Sequence, residues 1–589
     1  MKLRYTFTLI AFCCVACVHP NVTPTGRLPS SDTDASPFEI IVKGSDAEHF
    51  LPKLDGPVIE DESQYDVVVV GGGLSGLSAA VFLTDAHLKV LLLEKESFLG
   101  GLAFGGTTRS GIKFDRGAAY WTDTYNEEQY ILSRIGLGDF KKRFAITEPA
   151  DSFLWNGKLY KGIWENATLA DLPASFTIFR DLLVQANNRH LIGDQPIELG
   201  NSKLTSVRLR NLKLDGMSAT EWIRSMPAQF KLQKTKLAIA LYEKYLREHQ
   251  GGSDEPMSEV LTLLNLYCRS ALGSTCENVS ALAFANFYIS EIQTRYTTQT
   301  GTNGATKNME EILFAKKELF HVKRRAVVGS IEDRGASGAV IRYEYEHGVH
   351  QVKAQYVVYA AQLKFAPMII KDLTAKDPLK VAAIKGLKYS HYSVHDIFLK
   401  SHPFRSSYDT WVSNSESKPS DFTDFILGRW QDPKIQGYKN FRDFKNNPGD
   451  SQGIFTIYNP LPPEWNERAY SKEEAKGLAE DAIVNLQKVL SSLPQSELPN
   501  GFVPARDIEY VETNRWPFSV HIPQPGHFTK VAPLLRRRVG RIYFAHNNIG
   551  TPAFEEALFR GHCAADNILL KMNPQFKFES WPTKCPYEK

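Results

Sequence analysis

The sequence predicts an α/β protein, a doubly wound sheet assembled from discontinuous stretches of chain, with an α+β domain inserted between them. Three observations carry that prediction. A run of β-branched residues, Val67 to Val70, leads into glycines at GxGxxG spacing: Gly71, Gly73 and Gly76, with Leu74 and Ser75 before the third. From Tyr125 to Tyr296 the chain then turns mostly helical. Strand-like segments and a second glycine-rich turn return after residue 300 and continue to residue 572.

Each part of the opening unit has a physical reason. An unbroken apolar run suits a strand buried on both faces. Gly71 permits a tight turn, Gly73 lets the backbone approach a pyrophosphate, and Gly76 lets the helix from Gly76 to His87 pack on the strand. A second strand, Lys89 to Leu93, ends on Glu94 at the offset of about 20 residues expected for an acid that accepts hydrogen bonds from both ribose hydroxyls. Strand, turn, helix, strand and acid in that order predict a Rossmann-like dinucleotide site formed by Gly71, Gly73, Leu74, Ser75, Gly76 and Glu94. There is no second GxGxxG, so no NAD(P)H domain is expected.

The amino-terminal stretch reads as a leader. Lys2 and Arg4 precede the apolar run Leu9 to Val18, which is too short to span a bilayer comfortably. The Val-Ala-Cys ending at Cys17 resembles a bacterial lipobox with Cys14 where Leu is usual, so residues 1–17 read as a lipoprotein signal and Cys17 as the lipidated residue. A plain secretory signal and an uncleaved anchor are the other readings, and every one places the protein outside the cytoplasm. The lipoprotein reading puts it in the cell envelope, tethered to a membrane by its lipid. Residues 18–62, rich in Pro, Ser, Asp and Thr, read as a flexible tether.

Composition bounds the partners. A net charge of +3 over 589 residues argues against a nucleic-acid partner, and Arg536-Arg537-Arg538 reads as a solvated turn. Of seven cysteines, three lie in the leader, leaving Cys268, Cys276, Cys563 and Cys585. Four cysteines allow three full pairings, and no metal-type cluster exists.

Gly100 and Gly101, followed by GIKFDRGAAYW from Gly111 to Trp121, make the sequence resemble the flavin-containing amine oxidase superfamily. In that family a GG pair and an FDxGA-like segment, here including Gly117 and Ala118, run beneath a flavin. The resemblance implies FAD, bound without a covalent link, because Asn514 to Ala545 holds no cysteine where some members attach it; His521 and His527 are the exceptions to watch. It also implies that GTNGATKNMEEIL (Gly301 to Leu313) is a turn before a helix near the flavin, and that Val328 meets the adenine through its backbone. The closing segment Arg541 to Leu570 resembles the family's last strand, loop and helix, with Asn547 where an acid is usual and the helix entered at Phe554 and Glu555. A helix amino end there stabilises negative charge on reduced flavin.

In LKYSHYSVHDIFLK, Leu387 to Lys400, many members carry a lysine that holds water against the flavin. His395 takes its place by alignment. A general base and a hydrogen-bonded strand histidine are the two readings. Trp516, Phe518 and His521, in the segment resembling the family's RW stretch, are read either as walls of a substrate cavity or as core. The resulting domain map is 63–124, 300–375 and 505–572 for FAD binding, 125–299 and 376–504 for substrate, and 573–589 as a tail. Three functions are open: an FAD-dependent oxidoreductase taking a hydride from a C–N or C–C bond of a small molecule, a desaturase or isomerase of an apolar lipid or pigment, and a non-catalytic flavin-binding envelope protein.

Overall fold

The alternation within Val67–Val70 organises the centre of the molecule. Val67 and Val69 enter one apolar cluster with Leu77, Phe82 and Leu558. Val68 and Val70 enter another with Ile341, Tyr359 and Ile542. A strand buried on both faces needs no polar alternation, which is why the run reads as continuous. The computed structural model describes residues 37–44, 51–122, 126–139, 143–146, 151–188, 205–250, 255–291, 295–401, 408–413, 421–428, 453–467, 471–498, 500–576 and 585. The chain divides into residues 1–37 and 38–589, and the second unit holds every strand and helix of the described residues.

Strand Val58–Val70 lies between Val90–Glu94 and Gly348–Tyr359, with Phe320–Arg324 beyond the first and Ile542–Phe544 beside the second, all parallel. Strands Ala339–Tyr345 and Val327–Asp333 add antiparallel to the first half of Gly348–Tyr359. This seven-stranded sheet draws on the three distant stretches that the sequence predicts. Helices Leu74–Asp85 and Phe554–Met572 pack together on one face, where Ser78 Oγ donates to Leu558 O at 2.7 Å. A Cβ on Gly561 would stand 2.1 Å from Ser75 O, so the close approach of these helices requires glycine there.

An eight-stranded sheet runs in the order Glu39–Lys43, Ile508–His521, Tyr389–Leu399, Gly453–Leu461, Asp424–Leu427, Asp409–Ser413, Asp151–Trp155, Lys158–Lys161. Ile397, Ile457 and Val511 join a cluster with Ile483 and Leu486 of helix Lys472–Ser491, whose amino end is closed by a capping box between Ser471 and Glu474. The opposite face, at Phe153 and Trp411, packs on helices Ala174–Asn188, Ser258–Leu272 and Ala281–Glu291. Gly273, at φ 77°, ends the middle one.

Three expectations are corrected. Residues 39–43, expected in the tether, form an edge strand parallel to 510–514, and the first strand of the cofactor sheet already starts at Val58. The β-branched Ile40-Ile41-Val42 supplies the strand propensity, hidden in a polar stretch. Strand Ile508–His521, expected with the FAD-binding pieces, belongs to the eight-stranded sheet, whereas helix Pro378–Gly386, expected with the substrate part, places Val381 and Ile384 in the cluster beneath the cofactor sheet. The stretch 125–296 is mostly helical, as expected, and also holds the short strands Phe144–Ile146, Asp151–Trp155 and Lys158–Lys161. The pairing that the sequence leaves open places Cys585 of the tail in a disulfide with Cys563.

The leader with Cys17, residues 18–36 and 45–50, and most of the tail lie outside the described residues. Among the described residues no helix is long and apolar enough to cross a membrane.

Candidate functional site

The first glycine loop is shaped by the clashes that side chains would cause. Gly71 sits at φ +105°, and a Cβ on Gly76 would lie 1.9 Å from Gly71 O. Gly73, which precedes helix Leu74–Asp85, has nothing within 4 Å of its Cβ position. The helix amino end thus opens onto space at the residue predicted to meet a pyrophosphate, with the first N–H groups of Leu74 and Ser75 free of helical partners. Gly100 N donates to Gly72 O at 2.8 Å, and a Cβ on Gly101 would come within 3.3 Å of Gly73 Cα. Gly100 and Gly101, at φ 112° and 57°, close the cradle from the side.

Glu94 is half-buried, and both of its oxygens are engaged. Oε2 accepts from Gly72 N at 2.6 Å and Oε1 from Glu96 N at 2.8 Å. Burial pushes its carboxyl above the usual range, and the N–H groups of Glu96 and Gly72 work against that. Each oxygen keeps a lone pair for a hydroxyl. Ala326 N donates to Glu94 O and Arg325 N to Glu96 O, which brings the start of the strand holding Val328, buried beside a register shift, alongside Glu94.

The FDRGA segment links this cradle to the remaining pieces. Asp115 Oδ1 accepts from Thr302 N at 2.8 Å and Thr302 Oγ1 at 3.1 Å, pinning the turn that starts helix Asn303–Phe314. Ala118 N donates to Leu102 O, Ala118 O accepts from Thr302 Oγ1, and a Cβ on Gly117 would stand 2.4 Å from Leu102 O. Sequence reasoning missed Asp115 and Thr302 as the pin, although both stood inside motifs it singled out.

At the closing helix, Asn547 starts a short turn, Asn547–Ile549, and is half-buried. Phe554 stacks on Trp121 with ring centroids 5.3 Å apart, and the Glu555 carboxylate accepts from Thr122 N and Thr122 Oγ1. These two side chains anchor the helix start to strand Trp121–Thr122. What the helix offers a cofactor is its backbone amino end.

Period-two alternation separates the residues of strand Tyr389–Leu399. Tyr392, Val394 and Asp396 lie opposite Trp516, Asn514 and Glu512, and Val394 also lies opposite Tyr458. This face meets the FDRGA segment: Trp516 Nε1 donates to Arg116 O at 2.7 Å, Tyr458 OH to Gly117 O at 2.8 Å, and Arg116 Nη2 to Glu512 Oε2 at 3.0 Å. Asp396 accepts from Thr456 Oγ1 at 2.7 Å and Asn514 Nδ2 at 3.0 Å. Its carboxyl is pushed well above the usual range by burial, with the Glu512 charge adding to the effect.

His395 therefore lies on the opposite face. It is fully buried, its Nδ1 is 3.1 Å from Thr513 Oγ1, and its neighbour Ile397 packs in the cluster under helix Lys472–Ser491. Burial holds its pKa down at about 3. A base this weak is poorly matched to proton transfer at neutral pH. The geometry agrees with the hydrogen-bonded strand histidine, not the general base.

The three candidate wall residues separate as well. Trp516 is half-buried at the Arg116 junction. Phe518, buried at φ +53°, lies where the strand slips register, with the Lys364 ammonium 3.6 Å over its ring and its carbonyl accepting from Gln362 Nε2. His521, fully buried, donates through Nε2 to Gly550 O at 2.9 Å, and burial lowers its pKa to about 4. His521 holds the loop before the closing helix through Gly550 O, a role that Tyr389 shares through its hydroxyl on Asn548 Oδ1, while Phe518 packs edge-on against the Phe365 and Tyr389 rings.

Comparison with known proteins fits this assembly. The family model for flavin-containing amine oxidoreductases matches residues 74–569. The 15-cis-phytoene desaturase of Narcissus pseudonarcissus is 28% identical over 169 residues, 28% of this chain and 28% of its own length. Oxidoreductase PigB of a Serratia strain is 21% identical over 542 residues, 86% of this chain and 76% of its own. Among solved structures, cyclohexylamine oxidase from Brevibacterium oxydans covers 87% of this chain and 100% of its own with a TM-score of 0.57 and 17% identity, a likeness of fold.

Proposed function

The chain belongs to the flavin-containing amine oxidoreductase family, and on that premise we propose that it takes a hydride from a C–N or C–C bond of a small organic substrate. It is an FAD-dependent oxidoreductase, and bound FAD supplies the two-electron acceptor. The residues present fit the cofactor. The open space at Gly73, the engaged but unsaturated carboxylate of Glu94 and the glycine pair at Gly100–Gly101 form the pyrophosphate and ribose cradle. The amino end of helix Phe554–Met572 offers N–H groups and a positive dipole end to developing negative charge.

The observation that carries the reading is the docking of Trp516 and Tyr458 on Arg116 and Gly117. It joins one defined face of the eight-stranded sheet to the segment that the family runs beneath its flavin. Substrate approaching along that face meets aromatic rings, Asn514 and Asp396. Aromatic faces orient flat or apolar groups, and burial biases the Asp396 carboxyl toward its neutral form, so it adds little charge there.

A second reading, hydride removal from a C–C bond of an apolar lipid or pigment, is favoured by one feature. Strand Tyr389–Leu399 presents Tyr392, Val394 and Asp396 to this face and neither lysine nor histidine. One relative is a desaturase by name. The protein is further proposed to work in the cell envelope through a lipid on Cys17, a reading supported by the leader's residues alone.

Anaerobic mixing of the holoprotein with amines and amino acids, and separately with apolar polyenes, distinguishes the readings by which set bleaches the flavin. Hydrogen peroxide released on readmitting air marks an oxidase. Bleaching by dithionite but by no organic compound overturns both readings in favour of a non-catalytic flavin protein.

A further inference from the structure

Helix Ser258–Leu272 ends at Gly273, and three residues later the chain turns back so that Cys276 lies against Cys268. Both thiols are fully buried, and their sulfurs are 2.6 Å apart. Free cysteine packs as a small hydrophobe and needs no sulfur neighbour. Two separate thiols do not settle this closely, and a disulfide of about 2.05 Å requires only a small closing movement. The approach is fixed by the backbone on both sides: Cys276 N donates to Asn265 Oδ1 at 3.0 Å, Ser274 N to Cys268 O at 3.3 Å, and Thr220 N to Cys276 O at 3.1 Å.

We propose that Cys268 and Cys276 are joined by a disulfide in the mature protein, a second covalent closure beside Cys563–Cys585. With both pairs closed, the four cysteines after Cys17 are all used. The chain is then one that folds where thiols are oxidised. The bond forms by thiol–disulfide exchange with an incoming disulfide, either a protein disulfide donor or oxidised glutathione. One cysteine thiolate opens that disulfide and forms a mixed disulfide, and the second displaces it. The two cysteines are oxidised, the incoming disulfide leaves as two thiols, and the electrons balance.

The position gives the bond a purpose. A Cβ on Gly273 would lie 3.1 Å from Ser390 Cβ and 3.3 Å from side-chain atoms of Val520 and Ile522, so this turn rests on the ends of the two strands whose shared face meets Arg116 and Gly117. Tyr392 OH donates to Arg269 O one residue beyond Cys268. The bond fixes the turn that supports these strand ends. Burial pushes the Cys268 thiol well up, which disfavours the thiolate once the protein is folded. The bond is thereby a structural one set during folding, and not a switch. It does not depend on which substrate the enzyme takes.

The test is peptide mapping of the full-length chain in two preparations: exported to a bacterial periplasm, and refolded from urea with FAD in a glutathione redox buffer. Each is unfolded in N-ethylmaleimide without reductant, digested and weighed. We expect the Cys268 and Cys276 peptides linked, about 2 Da lighter than two thiols, with neither alkylated. Alkylation of both residues in either preparation overturns the proposal, whatever the state of Cys563 and Cys585. A link from Cys268 or Cys276 to any other cysteine overturns it too.

Discussion

Replacing Glu94 by alanine should strip the protein of FAD while leaving it folded. The carboxylate accepts from Gly72 N at 2.6 Å and Glu96 N at 2.8 Å, and each oxygen keeps a lone pair for a ribose hydroxyl. Charge-assisted hydrogen bonds contribute about 1.5–3 kcal/mol each. Two bonds to ribose hydroxyls at the low end, appropriate for a half-buried group, amount to about 3 kcal/mol, or roughly a hundredfold in affinity. The fold should lose about 1–3 kcal/mol, because Gly72 N, in a buried residue, and Glu96 N lose their acceptor. Glutamine, which on chemistry alone keeps one acceptor, should do little better. Each carboxylate oxygen already faces a backbone N–H, so an amide sets its own NH₂ against one of these donors. Because burial raises the Glu94 carboxyl, FAD affinity should also begin to fall at a higher pH than an exposed glutamate would give. Titrating apoprotein into FAD and following the quenching of flavin fluorescence measures the affinity, with circular dichroism as the folding control. Wild-type affinity in a Glu94→Ala protein of native dichroism would refute the dinucleotide assignment and most of what rests on it.

The two glycines flanking Ser75 should part company. Gly73→Ala meets nothing within 4 Å, so the apoprotein's urea midpoint should hold while FAD binding weakens at least tenfold; Gly76→Ala drives a Cβ to 1.9 Å from Gly71 O and should cost about 1–3 kcal/mol of apoprotein stability, and equal effects of the two would contradict the cradle. Acid precipitation should leave yellow flavin in the supernatant, since no cysteine lies between Asn514 and Ala545, and flavin retained in the pellet would show a covalent link. NADH and NADPH should leave the flavin oxidised, and rapid bleaching would reveal a nicotinamide site. Stability should fall as pH drops below 6.5, because His391, His395 and His521 are held neutral, with pKa values of about 3, 3 and 4, while the unfolded chain binds their protons. At pH 5.5 each ring costs on the order of 1 kcal/mol, so His395→Gln should flatten the acid slope, and a urea midpoint constant from pH 7 to 5 would contradict the burial of these rings.

What the sequence made legible was local and steric. GxGxxG, the GG pair and FDRGA constrain the backbone within a few residues, so Gly76, Gly101 and Gly117 can be assigned roles before any long-range contact is known. The edge strand Glu39–Lys43 was illegible because its pairing partner lies some 470 residues away at Tyr510–Asn514. The parity of strand Tyr389–Leu399 was illegible for a related reason. Tyr389 to Leu399 are all buried, so no exposed polar residue marks either face, and aligning the lysine by one residue more or less moves it through the sheet. Only the partners Thr513 and Glu512 separate His395 from Asp396.

That parity bears on the chemistry. On the face that meets Arg116 and Gly117, Glu512 is paired with the Arg116 guanidinium, and Asp396, buried beside it, is driven toward its protonated form. One charge is matched and the other suppressed. Strands Tyr389–Leu399 and Ile508–His521 therefore turn little net charge toward the cofactor segment, and no strong base. Hydride can leave a carbon under those conditions when the substrate binds uncharged, as a free amine whose nitrogen lone pair assists or as an apolar chain with an activated C–H bond. A permanently cationic substrate would meet no free carboxylate on these strands to offset its desolvation, a cost of several kcal/mol. The two readings of the reaction thus share a requirement on the substrate's charge, and the geometry of this face supplies the reason for it.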